Sequence, residues 1–71
     1  MRKTFVFKAK NKGVQVIAKK FLIDSGYDNT EIDGKIKVFL KADGFQEMKM
    51  LVDELMGISQ GLGLQLLGYI D

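Results

Sequence analysis

The sequence predicts an α+β domain, a four-stranded antiparallel sheet with two helices on one face, in the order strand, helix, strand, strand, helix, strand. Three observations predict it. From Gly34 to Asp43, in GKIKVFLKAD, Ile36, Val38 and Leu40 alternate with Lys35, Lys37, Phe39 and Lys41. Period two is the side-chain repeat of a strand, and the β-branched and aromatic content agrees. Asp33-Gly34, just before it, is a preferred pair for a tight type I′ hairpin turn, because both residues tolerate positive φ. On either side of this hairpin, from Val14 and from Phe45, the apolar spacing switches to the helical repeat of 3.6.

In chain order, KTFVFKA (residues 3–9) sets Phe5, Phe7 and Ala9 against Thr4, Val6 and Lys8, a strand with both phenylalanines inward. Asn11 is placed to cap a helix over residues 12–25. Its apolar stripe is Val14, Ile17, Ala18, Phe21 and Leu22, with Lys12, Gln15, Lys19 and Lys20 on the other side and Gly26 as the stop. Val16 and Ile23 fall off that stripe. A competing reading turns a hairpin at Lys10-Asn11-Lys12-Gly13 and makes Val14-Gln15-Val16 a strand, giving βββαβ. It fails where residues 18–23 stop alternating.

Tyr27 to Ile32 is a short acidic strand suited to a sheet edge. A second helix opens at Asp43 or Gly44, with Phe45, Met48, Val52, Leu55 and Met56 on its buried face, widened by Leu51, Ile58 and Leu62, and Met50 near the charged side. It weakens through Gly57, Gly61 and Gly63 and ends near Gln60. Residues 64–70 form a last strand with Leu64, Leu66 and Ile70 inward. Helical crossovers are right-handed and place both helices on the same face, which is the βαββαβ ferredoxin-like arrangement with the first and third strands central. No linker or repeat interrupts residues 1–71, which read as one domain.

A chain of 71 residues buries only about 60–65% of its unfolded surface, so it needs good packing, oligomerisation or a partner. It has no Cys and no His, which excludes disulfides and cysteine metal sites and removes the usual general base near neutral pH. No apolar run approaches the ~20 residues of a membrane span, and Met1 begins a strand-like segment rather than a signal peptide. A cytoplasmic location and no membrane are therefore expected. The net charge of +2 conceals blocks: Arg2, Lys3, Lys8, Lys10, Lys12, Lys19 and Lys20 precede any acid, then Asp24, Asp28, Glu31 and Asp33 come without a base. Such blocks give a surface distinct positive and negative regions that bear on partner choice.

The sheet face opposite the helices is the candidate site. By strand alternation it carries Val6, Lys8, Lys35, Lys37, Phe39, Lys41, Leu67 and Tyr69, together with Thr4 and Gln65. Lysines beside aromatics on an open sheet suit a phosphate backbone, with Phe39 and Tyr69 stacking on bases. This layout resembles RNA recognition motif domains in topology and in its use of the sheet. That family stacks bases on aromatics of the two middle strands, where this chain has Thr4, Val6, Lys35 and Lys37, so no binding residue is carried over. The same apolar residues rimmed by lysine also suit self-association or a protein partner.

Other chemistries find little. Asn29, Glu31, Asp33 and Gly34 match the first half of a calcium loop, but its twelfth position is Leu40, where a bidentate Glu is required. The late glycines match no phosphate-binding loop. Thr4, Ser25, Thr30, Ser59, Tyr27 and Tyr69 have no base beside them in sequence, so no catalytic residue, metal ligand or cofactor is assigned and the chain is read as a non-enzyme. The expected function is a small interaction module that binds a partner protein or itself, as a homodimer, through the open sheet face. The alternatives are sequence-tolerant binding of RNA or single-stranded DNA on that face, and small-molecule sensing.

Overall fold

A computed structural model of the chain describes residues 1–70. The elements are β1 (Arg2–Lys8), α1 (Lys12–Asp24), β2 (Asp28–Ile32), β3 (Lys35–Lys41), α2 (Phe45–Gly61) and β4 (Gln65–Ile70). They form one four-stranded antiparallel sheet in the order β2-β3-β1-β4, a ferredoxin-like βαββαβ fold with β1 and β3 central. Residues 14–23 are helical, which disposes of the βββαβ alternative.

The local signals act as the residue types require. The Asn11 side chain accepts the Val14 amide at 2.9 Å, satisfying one of the free N–H groups of the first turn of α1. Gly26, at φ 84°, turns the chain out of that helix. Asp33 and Gly34 both take positive φ, 52° and 76°, and close the β2–β3 hairpin. Phe5, Phe7, Ile36, Val38 and Leu40 project to one side of the central strands. There they form a single buried cluster with Ala18 and Leu22 of α1 and Met48 and Leu55 of α2. Both helices therefore cover the same face.

Three expectations need correction. Helix α1 buries Gln15, Ala18 and Leu22, with Val14 half-buried, while Ile17 and Phe21 are 64% and 45% exposed. The buried stripe is rotated by about 60° from the one drawn through the bulkiest residues, at 100° per residue. Apolar residues lie on nearly every side of this helix, so apolar spacing alone does not select a face. The sheet does, by seating small Ala18 and Leu22 against itself. In α2, Phe45 lies at the first helical position and is exposed rather than inward. In β4 the register slips: Gly68 pairs with Val6 but Leu66 pairs with Phe7, leaving Leu67 in a bulge. An extra residue in one strand flips every side chain beyond it. Tyr69 therefore moves to the helix side and Ile70 to the open side, the reverse of simple alternation.

Candidate binding interface

Strand pairing places residues on the open face in rows, because directly opposed residues share a face. Across the middle of the sheet, Thr30, Lys37, Val6 and Gly68 are aligned. On one side of that row lie Asp28, Phe39, Thr4 and Ile70, and on the other Ile32, Lys35, Lys8 and Gln65. Beyond Phe39, Arg2 stands opposite Lys41. Val6 and Lys37 are half-buried by their neighbours, whereas Lys8, Lys35 and Lys41 are exposed. Phe39 is 42% exposed, a large ring on a central strand that no helix covers.

The electrostatics of this face are one-sided. Among the described residues it holds Arg2, Lys8, Lys35, Lys37 and Lys41 against the single acid Asp28 at its edge. Two of the pairs, Lys8 with Lys35 and Arg2 with Lys41, set like charges directly opposite one another. Opposed like charges destabilise a sheet, where opposite charges in the same place would stabilise it. No ion pair among the described residues involves any of these five bases. Glu31, the second acid of β2, lies on the helix side, where it meets Lys19 of α1 at 3.6 Å.

Six of the eight residues expected on the open face are placed there by the strand register. Val6, Lys8, Lys35, Lys37, Phe39 and Lys41 are brought together, and Leu67 is displaced into the bulge. Tyr69 is not on this face. It pairs with Phe5, their ring centroids are 5.7 Å apart, and the Lys3 ammonium lies 5.4 Å over the Tyr69 ring on the helix side. That leaves Phe39 as the face's one aromatic residue among those described.

No protein-family model matches the chain, and no curated protein matches it. The face is thus read from its own chemistry.

Sequence reasoning missed Arg2, Ile32 and Ile70. Arg2 was legible, since it continues the alternation of Thr4, Val6 and Lys8 by one step. Ile32 was legible too, because a two-residue turn at Asp33-Gly34 forces it opposite Lys35. Ile70 was legible only through Gly68, for its face depends on the bulge that this isolated strand glycine adjoins. The segment with partial likeness to a calcium loop is the β2–β3 hairpin, and no group of three or more His, Cys, Asp or Glu side chains gathers among the described residues. Nor is any helix among the described residues long and apolar enough to cross a membrane.

The most perturbed ionisable group lies elsewhere. The Tyr27 hydroxyl donates to Glu54 Oε1 at 2.6 Å, and burial, the hydrogen bond and the carboxylate charge together hold its pKa far above the ordinary tyrosine value. The bond ties the start of β2 to α2. Held neutral in this way, the phenol donates a hydrogen bond that fastens the two elements together.

Proposed function

We propose that the protein is a non-catalytic binding module whose open sheet face receives a polyanion, single-stranded RNA or DNA. The reading rests on one observation: an exposed sheet that sets Lys8 against Lys35 and Arg2 against Lys41, with Asp28 at its edge the one acid on that face among the described residues. A face arranged this way loses stability alone and gains it when an anion bridges the paired bases. The same charge argues against packing this face on its own copy. A two-fold axis would bring five bases of one protomer onto five of the other.

Single-stranded nucleic acid suits the face in two further ways. Lys35, Lys37 and Lys41 recur along β3 at even positions of the strand repeat, with Phe39 filling the gap between them. Successive residues on one face are about 6.5–7 Å apart, a spacing that lets a backbone run along the strand while one base stacks on Phe39. A second reading, an acidic protein surface, draws on Val6, Ile32 and Ile70, which supply apolar contact among the lysines.

Fluorescence anisotropy separates them. A labelled oligothymidylate and a labelled poly-glutamate peptide are titrated with the protein at low salt. The nucleic-acid reading expects the oligonucleotide to bind more tightly, and Phe39→Ala to cost about 1–3 kcal/mol in that complex alone. Tighter binding of the peptide, or indifference of the oligonucleotide to Phe39→Ala, overturns it in favour of the protein reading. Binding of neither ends both.

A further inference from the structure

We propose that β4 is a docking edge for a second copy of this chain, its β4 pairing antiparallel with its twin across a two-fold axis to make a closed dimer. The sheet order leaves β2 and β4 outermost, each with one row of backbone N–H and C=O groups that no strand pairs. Such rows invite another strand unless they are guarded by charge, proline, a bulge that twists the edge away, or covering structure. The two edges are treated very differently. β2 is five residues long and carries Asp28 and Glu31, with Asp33 in the adjoining turn. β4 itself reads Gln-Leu-Leu-Gly-Tyr-Ile; no charged residue or proline occurs from Leu55 to Ile70, and the next residue in sequence is Asp71. The one guard within β4 is the bulge at Leu67, which lies in the pairing with β1, on the side of β4 away from the free row. Leu66, Leu67, Tyr69 and Ile70 are all exposed, the last two at 59% and 61%.

Charge selects the occupant. The open face is basic and the β2 edge acidic, so each repels its own copy. The β4 edge is neutral and meets itself without that cost. Antiparallel pairing of identical edges is isologous, with the axis running through the sheet, so it uses the free edge of both copies and leaves only the two acidic β2 edges outermost. Assembly stops at two. The product is an eight-stranded sheet with all helices on one side, and it joins both basic faces into one surface. The extra burial answers the modest core of a short chain. None of these steps depends on what the basic face binds.

Sedimentation velocity from about 1 to about 500 µM follows the mass-action equilibrium. The expected result is a rise from the 8.0 kDa monomer to twice that mass, with nothing larger. Leu67→Lys and Ile70→Lys each replace an exposed apolar side chain of the edge strand by a cation, the usual guard against strand pairing, and are expected to raise the dissociation constant at least about tenfold through lost apolar burial. Ile17→Lys, on the exposed side of α1, is expected to leave it unchanged. A monomer at every concentration overturns the proposal, as does growth beyond two copies or a dimer abolished by Ile17→Lys but not by Leu67→Lys. Amide exchange of the unmutated protein gives a reading that needs no variant. β4 amides are expected to gain protection with concentration while β2 amides do not; equal behaviour of the two edges overturns the pairing.

Discussion

Replacing Lys8 by Glu tests whether the basic face is held at the expense of stability. Lys8 lies directly opposite Lys35 on the open side of the two central strands, and both side chains are exposed. Cross-strand pairs contribute roughly 0.2–1 kcal/mol, favourable for opposite charges and unfavourable for like ones. Reversing one charge therefore removes a small repulsion and adds a small attraction, together about 0.5–1 kcal/mol at low ionic strength. In a domain of this size that raises Tm by about 2–8 °C. The gain is expected to shrink at about 1 M salt, where the screening length falls to roughly 3 Å. Thermal unfolding followed by circular dichroism at low and high salt measures both quantities, with Lys8→Gln expected to give about half the gain by removing the repulsion alone. A Lys8→Glu variant that is less stable than the parent at low salt, or whose gain ignores salt, refutes the claim that these lysines repel across the sheet.

Four further outcomes follow from the packing. Because its folded-state pKa is raised, the Tyr27 hydroxyl contributes stability that is fully present below the ordinary tyrosine value near 10 and is lost as pH climbs above it. Tyr27→Phe is expected to cost about 1–2 kcal/mol at neutral pH and to flatten the alkaline decline, read by urea unfolding at pH 7, 9 and 11. Gly57 is exposed in the middle of α2, and a methyl group there meets open space, so Gly57→Ala is expected to stabilise by about 0.5–1 kcal/mol. Gly34 also has open space, but its φ of 76° strains any side chain, so Gly34→Ala is expected to cost about 1–2 kcal/mol in the same urea assay. Leu55, fully buried under the sheet, is expected to cost about 2–5 kcal/mol as Ala, enough to unfold much of a small domain.

The parts of the fold that were legible in the sequence are those written in local chemistry. The alternation of Ile36, Val38 and Leu40, the Asp33-Gly34 turn, the Asn11 cap and the Gly26 stop each depend on a few adjacent residues, and each stands where its chemistry requires. The rotation of α1 was not legible, because Ile17 and Phe21 are better core formers than Gln15 by any transfer scale. The closest approach of helix to sheet is a property of the assembled layers. The Leu67 bulge had one local mark, the isolated Gly68 beside it inside the strand, a common sign of a bulge; its place in the register exists only in the pairing of β4 with β1. That one extra residue decided the site, by taking Tyr69 off the open face and bringing Ile70 onto it. The like-charged pairs were hidden for the same reason. Lys8 and Lys35 are 27 positions apart, and only the register makes them neighbours.

The salt dependence of oligonucleotide binding tests the assignment of the open face most directly. Contact of all five bases, Arg2, Lys8, Lys35, Lys37 and Lys41, with phosphates gives a slope of log affinity against log salt of about −3.5, at roughly −0.7 per phosphate neutralised on a single strand. Affinity should then fall about 100-fold between 50 and 200 mM salt, and replacing Lys35 and Lys37 by Gln should reduce the slope to about −2. An affinity that does not change with salt, or a slope untouched by removing the two lysines, contradicts the account.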